Sequence, residues 1–313
     1  MAKIKFIKIL FRAVFGILLI SFLIYKYLKG YHPFSYSEIN NYYLIFGILL
    51  ILFSFSFAII RLYVVVSDYV SGILEVIKIF FIGWFFSNLL PTTFGGDVYQ
   101  VSYINKRVKS LSSSVALISI QRIIPVFVLL IYGFFYTILR PELWNKISLS
   151  KIKIGFFDIL MISILLLVVL LTILYIFRKQ LLKYFNKIKS FLINFYKSLK
   201  DLSITKYFHL LFLSVIFQFT RMTGLYILLL GMDCKVNMLD FFFIIAFVAI
   251  LSMIPLSIGA LGIQESGIVF GLHLLGVKIN VGIAVAFLYR GVFILFTIVG
   301  GIIYLSSKRK NQS

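Results

Sequence analysis

The chain of 313 residues is 62% hydrophobic and only 13% charged, with a mean hydropathy of +1.07. That balance leaves too little polar surface to clothe a soluble domain of this length, so the sequence describes a membrane protein. The formal charge of +21 collects at the ends and between apolar runs, where membrane proteins carry their cytoplasmic lysines and arginines, and this placement argues against nucleic-acid binding.

A basic start (Lys3, Lys5, Lys8, Arg12) leads into an apolar run at about 9–25. "YKYLKGYHPF" follows it where a secretory signal would show a small-residue cleavage site, so the run is read as a retained helix. The next run, about 42–66, holds Arg61 in "FSFAIIRLYVV". A third, about 73–90, ends in "SNLLPTTFGGDVYQ" (87–100), where Pro91, Gly95 and Gly96 break the helix beside Asp97. Runs at about 113–139, with Arg122, and 156–177 come next. Block 178–206 then carries eight Lys/Arg against one Asp, while Leu181, Phe185, Ile188, Leu192, Phe195 and Leu199 recur at three- and four-residue steps. One apolar face among lysines predicts a helix lying in the interface against anionic headgroups, on the cytoplasmic side. The run at about 208–231 holds Arg221, and that at about 241–257 breaks in "LSMIPLSIGALGIQE" (251–265), with Pro255, Gly259, Gly262 and Glu265. The last run, about 282–305, holds Arg290 and ends at Lys308, Arg309 and Lys310.

Eight full crossings cannot bring all of these basic clusters to one face. The conflict disappears if the segments at 73–90 and 241–257 enter, break and return on the side they came from. The expected fold is therefore an all-α polytopic membrane protein of about eight hydrophobic segments, six crossing and two forming re-entrant helical hairpins, with both termini cytoplasmic in the cell membrane.

The chain reads as a single transmembrane domain containing a duplicated unit, about 42–139 and about 208–305, joined through the interfacial helix. Pro91 matches Pro255, Gly95 matches Gly259 and Gln100 matches Gln264 at one constant offset. Arg122 falls opposite Arg290 after a small insertion, and Arg61 and Arg221 precede the two breaks. Units entering from opposite sides form an inverted repeat, the architecture of many secondary transporters.

A charged side chain at bilayer depth faces a partner or a wet cavity. The surplus of Arg61, Arg122, Arg221 and Arg290 over Asp97 and Glu265 predicts a phosphate site, to which amides of Gly95, Gly96, Gly259 and Gly262 would contribute. Trp84, Tyr99, Tyr103 and Tyr289 are candidates to flank a headgroup. Asp97 and Glu265 are candidates for gating or proton coupling. A lone cysteine and three scattered histidines (His32, His209, His273) offer no metal site, and neither a hydrolase signature nor a P-loop is present. The expectation is a protein that is not an enzyme and carries no cofactor.

On "NLLPTTFGGD" (88–97), "PLSIGALGIQE" (255–265) and Arg290, the chain resembles the lysylphosphatidylglycerol synthase transmembrane-region family, over nearly its whole length. The resemblance implies a flippase-like membrane protein related to the lipid-moving half of enzymes that make aminoacylated phosphatidylglycerol. The sequence departs from the family pattern at Tyr99, Gln100 and Gln264, where basic residues are usual, and at Ala260, where glycine is usual. No aminoacyl-transferase domain is expected, so lipid lysylation is not. The reading is a transporter of an anionic phosphate-bearing lipid, a phospholipid or a polyprenyl-phosphate-linked one, in which Arg122 and Arg290 hold the phosphate. The alternative is a non-catalytic membrane partner of a glycosyltransferase or lipid synthase, docked through 178–206.

Overall fold

The computed structural model describes residues 40–89, 94–140, 178–253 and 258–310. The apolar runs expected at 9–25 and 156–177, and the break residues Pro91 and Pro255, lie outside them. The described residues form helices α1 (Asn41–Val66), α2 (Ile73–Leu89), α3 (Gly95–Val108), α4 (Leu111–Leu139), α5 (Arg178–Lys200), α6 (Ile204–Leu230), α7 (Met238–Leu251), α8 (Ile263–Leu274) and α9 (Ile279–Lys310). Short polar residues start several of them. Asn40, Ser110, Ser203 and Asn237 each accept a hydrogen bond from a first-turn amide of α1, α4, α6 and α7, the usual way to satisfy donors left over at a helix N-terminus. Among the described residues, α1, α4, α6 and α9 are long and apolar enough to cross a membrane.

The architecture is set by α1 and α6, which run antiparallel along their whole length. The Asn40 N–H donates to the Gly231 carbonyl at 2.9 Å at one end. Gly47 then meets Gly224, Phe55 lies 5.8 Å from Phe217 between ring centroids, and Arg61 donates to Ser214. At the far end the Lys206 ammonium pairs with Asp68 at 2.7 Å. Where the helices are closest, a Cβ on Gly47 would sit 2.8 Å from the Gly224 carbonyl oxygen, and one on Gly224 would sit 2.9 Å from that of Gly47. Only residues without a side chain permit such an approach.

A hairpin follows each of these two helices. In the first, Glu75 meets Arg107 at the base, Gly83 meets Gln100 midway and Ser87 bonds Gly96 at the tip, so α2 and α3 are antiparallel. In the second, Gly271 packs on Ile244 and Gly267 on Val248. Because α1 and α6 are antiparallel, the hairpins start from opposite ends of that pair, and their tips meet between: a Cβ on Gly259 would lie 3.0 Å from Asn88 Oδ1. The legs are short. The 17 residues of α2 span about 26 Å and the 12 of α8 about 18 Å, at ~1.5 Å per residue.

The packing is nearly unchanged when the two units are exchanged. α2 packs on α9 as α7 does on α4; α3 packs on α4 as α8 does on α9; α1 packs on α2 as α6 does on α7. Each hairpin base carries the same set of carboxylate, tyrosine and arginine, though the tyrosine and arginine come from α3 in the first and from the C-terminal end of α4 in the second. Glu75, third residue of α2, accepts from the Tyr103 hydroxyl and pairs with Arg107, while Asp240, third residue of α7, accepts from the Tyr136 hydroxyl and pairs with Arg140. One constant-offset expectation is corrected. Asp97 and Glu265, the carboxylates expected at the two breaks, are each the third residue of their hairpin's second leg. Gln100 is the sixth residue of α3 and Gln264 the second of α8, so Gln264 is not the structural partner of Gln100.

Phe55 joins four helices at the core, with rings of Trp84, Phe217, Phe293 and Phe296 between 4.5 and 6.1 Å away. The outward faces of α1 and α4 expose Phe46, Phe53, Phe127 and Phe134, as a surface bathed by lipid chains would. The close crossing gives a test. Gly224→Leu drives a side chain into Ile51 and the α1 backbone, and lowers the thermal midpoint of the purified protein or abolishes its monodisperse elution. Gly291→Ala, where a Cβ meets nothing within 4 Å, leaves the midpoint unchanged or raises it.

Candidate functional site

The four arginines of the apolar helices converge on the region where the hairpin tips meet, and they divide into two kinds. Arg122 on α4 pairs through Nε with Asp97 at 2.5 Å, with its guanidinium 4.7 Å from the Phe94 ring centre. Arg290 on α9 pairs with Glu265 and donates to the Gly259 and Ala260 carbonyls at 3.3 and 3.4 Å. Those carbonyls are presented by a turn whose residues 259, 260 and 262 all have positive φ. Arg290 therefore stitches the second tip together. Glu265 completes the stitch, because its other oxygen accepts the Gly262 N–H at 2.7 Å.

Among the described residues, the hydrogen-bond partners of Arg61 and Arg221 are all neutral. Arg61 Nε donates to Gln121 Oε1 at 3.0 Å and Nη1 to Ser214 Oγ at 3.1 Å. Arg221 Nη2 donates to Gln218 Oε1 at 2.6 Å and Nη1 to the Tyr289 hydroxyl at 3.3 Å, leaving a buried Nε with no partner. Both guanidiniums lie 5.4 Å from the centre of the same Phe217 ring. The units correspond again: Arg61 reaches the residue before Arg122, and Arg221 the residue before Arg290. Neither Arg61 nor Arg221 has a carboxylate partner among the described residues.

A cavity of about 280 Å³ opens between the tips. Arg61, Arg122 and Arg221 line it with Gln121, Gln218 and Tyr289, and among the described residues its lining holds no acidic one. Pro125 also borders it, removing the amide that would bond the Gln121 carbonyl within α4. Arg61 and Arg221, which have no carboxylate partner among the described residues, favour an anion inside, because an ionised side chain at bilayer depth costs about 2.5–3.5 kcal/mol on insertion scales.

Gly259 lines this cavity. The expected contribution of all four glycine amides is narrower than the sequence suggested, since the Gly96 amide is taken by Ser87 Oγ at 3.1 Å and that of Gly262 by Glu265. Trp84 and Tyr289 border the cavity, while Tyr99 and Tyr103 pack along α3, the latter on Glu75. Gln121, Ser214 and Gln218 escaped the sequence reading. The signal was present, since each is polar within an apolar helix and Gln121 directly precedes Arg122.

The two ion pairs differ in exposure, which gives an expected outcome. Glu265→Gln leaves the largely buried Arg290 side chain without its counter-charge, a loss of about 3–5 kcal/mol for removing one partner of a buried pair. Asp97→Asn costs much less, because the Arg122 and Asp97 side chains are 29% and 27% exposed against 11% and 2% for Arg290 and Glu265. Thermal midpoints in one detergent compare them; equal losses would contradict this division. The family model described as the lysylphosphatidylglycerol synthase TM region matches residues 9–301, and the chain belongs to that family. No curated protein and no solved structure gives a significant match.

Proposed function

We propose that this member of the lysylphosphatidylglycerol synthase TM-region family moves an anionic, phosphate-bearing lipid between leaflets without altering it chemically. One observation carries the reading: buried Arg61 and partly buried Arg221, without carboxylate partners among the described residues, face a cavity between the tips of two opposed hairpins. Phosphate suits such a site, because each guanidinium offers a planar fork of donors to its oxygens. In this reading Arg61 and Arg221 bind the phosphate. Arg122 and Arg290, each committed to a carboxylate, set the tips, and the Asp97–Arg122 and Glu265–Arg290 pairs act as gates. A volume of about 280 Å³ lies near the lower end of the ~300–1,000 Å³ typical of ligand pockets, which favours a small headgroup over an oligosaccharide.

Hairpin legs of about 18–26 Å fall short of a ~30 Å hydrocarbon core, which supports hairpins that re-enter rather than cross. The antiparallel run of α1 and α6 supports an inverted repeat, in which rocking of the units about a fixed site exposes it to each side in turn. The basic helix α5 then lies on the cytoplasmic leaflet of the cell membrane, with both termini on the same side.

Two measurements test this. In proteoliposomes holding a fluorescent phosphatidylglycerol or a polyprenyl phosphate, the protein speeds transbilayer movement, and Arg61→Gln or Arg221→Gln slows it by roughly tenfold or more, the scale of one lost hydrogen bond to a charged group. Unchanged movement in the double variant, or none with the unmodified protein, would sink the proposal. In a Cys234→Ser background, an impermeant maleimide applied to intact cells labels Lys278→Cys and spares Lys106→Cys. Labelling of both positions, or of neither, would remove the opposed hairpins.

A further inference from the structure

A second, larger recess of about 760 Å³ lies between α3 and α4 and shares one side chain, Arg122, with the arginine cavity. Its walls are apolar for most of their length, with Val98 and Val101 on α3 facing Val115 and Ile118 on α4. Two ends are distinguishable. At the level of the hairpin tip the recess is closed by the Asp97–Arg122 pair and Phe94. At the hairpin base it is bordered by Ser102, Asn105 and Phe195, the last from the basic amphipathic helix α5, which Ser198 ties to Ser113 of α4 at 2.8 Å. Lys106 and Lys109 follow Asn105 and are exposed, as are Lys189, Lys197 and Lys200 on α5.

We propose that this groove is the loading site for one anionic phospholipid of the leaflet on which α5 lies. The order of polarity along the groove is that of a lipid in that leaflet. The headgroup sits at the base among Ser102, Asn105 and the lysines, and a hydrocarbon chain runs along the valines toward the middle of the protein. Cationic side chains beside an interfacial helix concentrate anionic headgroups at that end. An apolar groove open to the bilayer, with Val98 and Ile123 both more than half exposed, accepts the chain sideways without dehydrating a polar wall. The Asp97–Arg122 pair is then the partition between the waiting lipid and the phosphate site. Its counterpart, Glu265–Arg290, is sealed, so the structure is loaded from one side only. This inference rests on the lipid-moving reading and adds the side, the route and the kind of lipid.

The test uses the full chain in nanodiscs of phosphatidylcholine, with phosphatidylglycerol carrying a diazirine at the end of one acyl chain as the probe. Photolysis is expected to label α3 and α4 at the groove, with unlabelled phosphatidylglycerol competing and phosphatidylcholine not. Val101→Trp, which fills the groove, cuts that label by roughly tenfold, whereas Val101→Leu keeps most of it and shows that the fold tolerates change there. Label spread over the outward faces of α1 and α9 and indifferent to Val101→Trp would overturn the loading site. The failures are separable. If Val101→Trp moves lipid at the unmodified rate while Arg61→Gln does not, the groove is rejected and the transporter stands. If the groove is labelled but the unmodified protein moves no lipid, the transporter is rejected and the groove remains a lipid-binding site.

Discussion

A guanidinium inside a membrane protein must be answered by something, and this fold is organised around four of them. Water cannot follow these side chains into an apolar medium, and neutralising an arginine is not a practical escape. Two are answered by ion pairs, with carboxylates that the chain places three residues into the second leg of each hairpin. The other two are answered by amides and hydroxyls, which satisfy hydrogen bonds but leave the charge unbalanced. The first kind makes structure: Arg290 and Glu265, paired with each other, hold three backbone groups of one tip, the Gly259 and Ala260 carbonyls and the Gly262 N–H. The second kind leaves an electrostatic demand unmet, and the cavity is where it is unmet.

The duplicated plan explains how the chain brings the arginines together. Helix α1 packs against its own counterpart α6 in the opposite sense, through glycines that let the backbones touch. Everything after each of these helices is then carried to opposite ends and folded back toward the centre. An antiparallel pair of equivalent helices turns a repeat in sequence into a site at the midpoint. The units are not quite alike in this structure. The first hairpin is fastened at its base by its own second leg, through Tyr103 and Arg107, and the second by α4 of the other unit, through Tyr136 and Arg140.

Much of this was legible in the sequence, and what was not has a common cause. Among the described residues, α1 and α2 match the expected runs 42–66 and 73–90 to within a residue, because length and hydrophobicity are local properties. The breaks were legible because proline and glycine act locally on the backbone. Pairing was not, since it depends on which helix faces which. Four arginines and two carboxylates can be matched in several ways, and only packing chooses Asp97 for Arg122 and Glu265 for Arg290. The register between the units misled for a related reason. Similarity of Gln100 to Gln264 is a match of letters, whereas helix position and ion pairing follow Asp97 and Glu265. Gln121 and Gln218 were visible as polar residues in apolar helices, but their role as uncharged partners of arginine appears only once α1, α4 and α6 are in contact.

The second tip has one further property. Ala260 adopts φ +56° with a Cβ in place, a conformation costing an L-residue about 1–2 kcal/mol that glycine avoids. Arg290 holds it there by its carbonyl, beside the neighbouring carbonyl of Gly259. The turn is thus a cocked spring with the ion pair as its catch. Releasing Arg290 frees the backbone to relax, so part of the work of parting Glu265 from Arg290 is already stored in one alanine. A glycine at that position would hold the same turn without that strain.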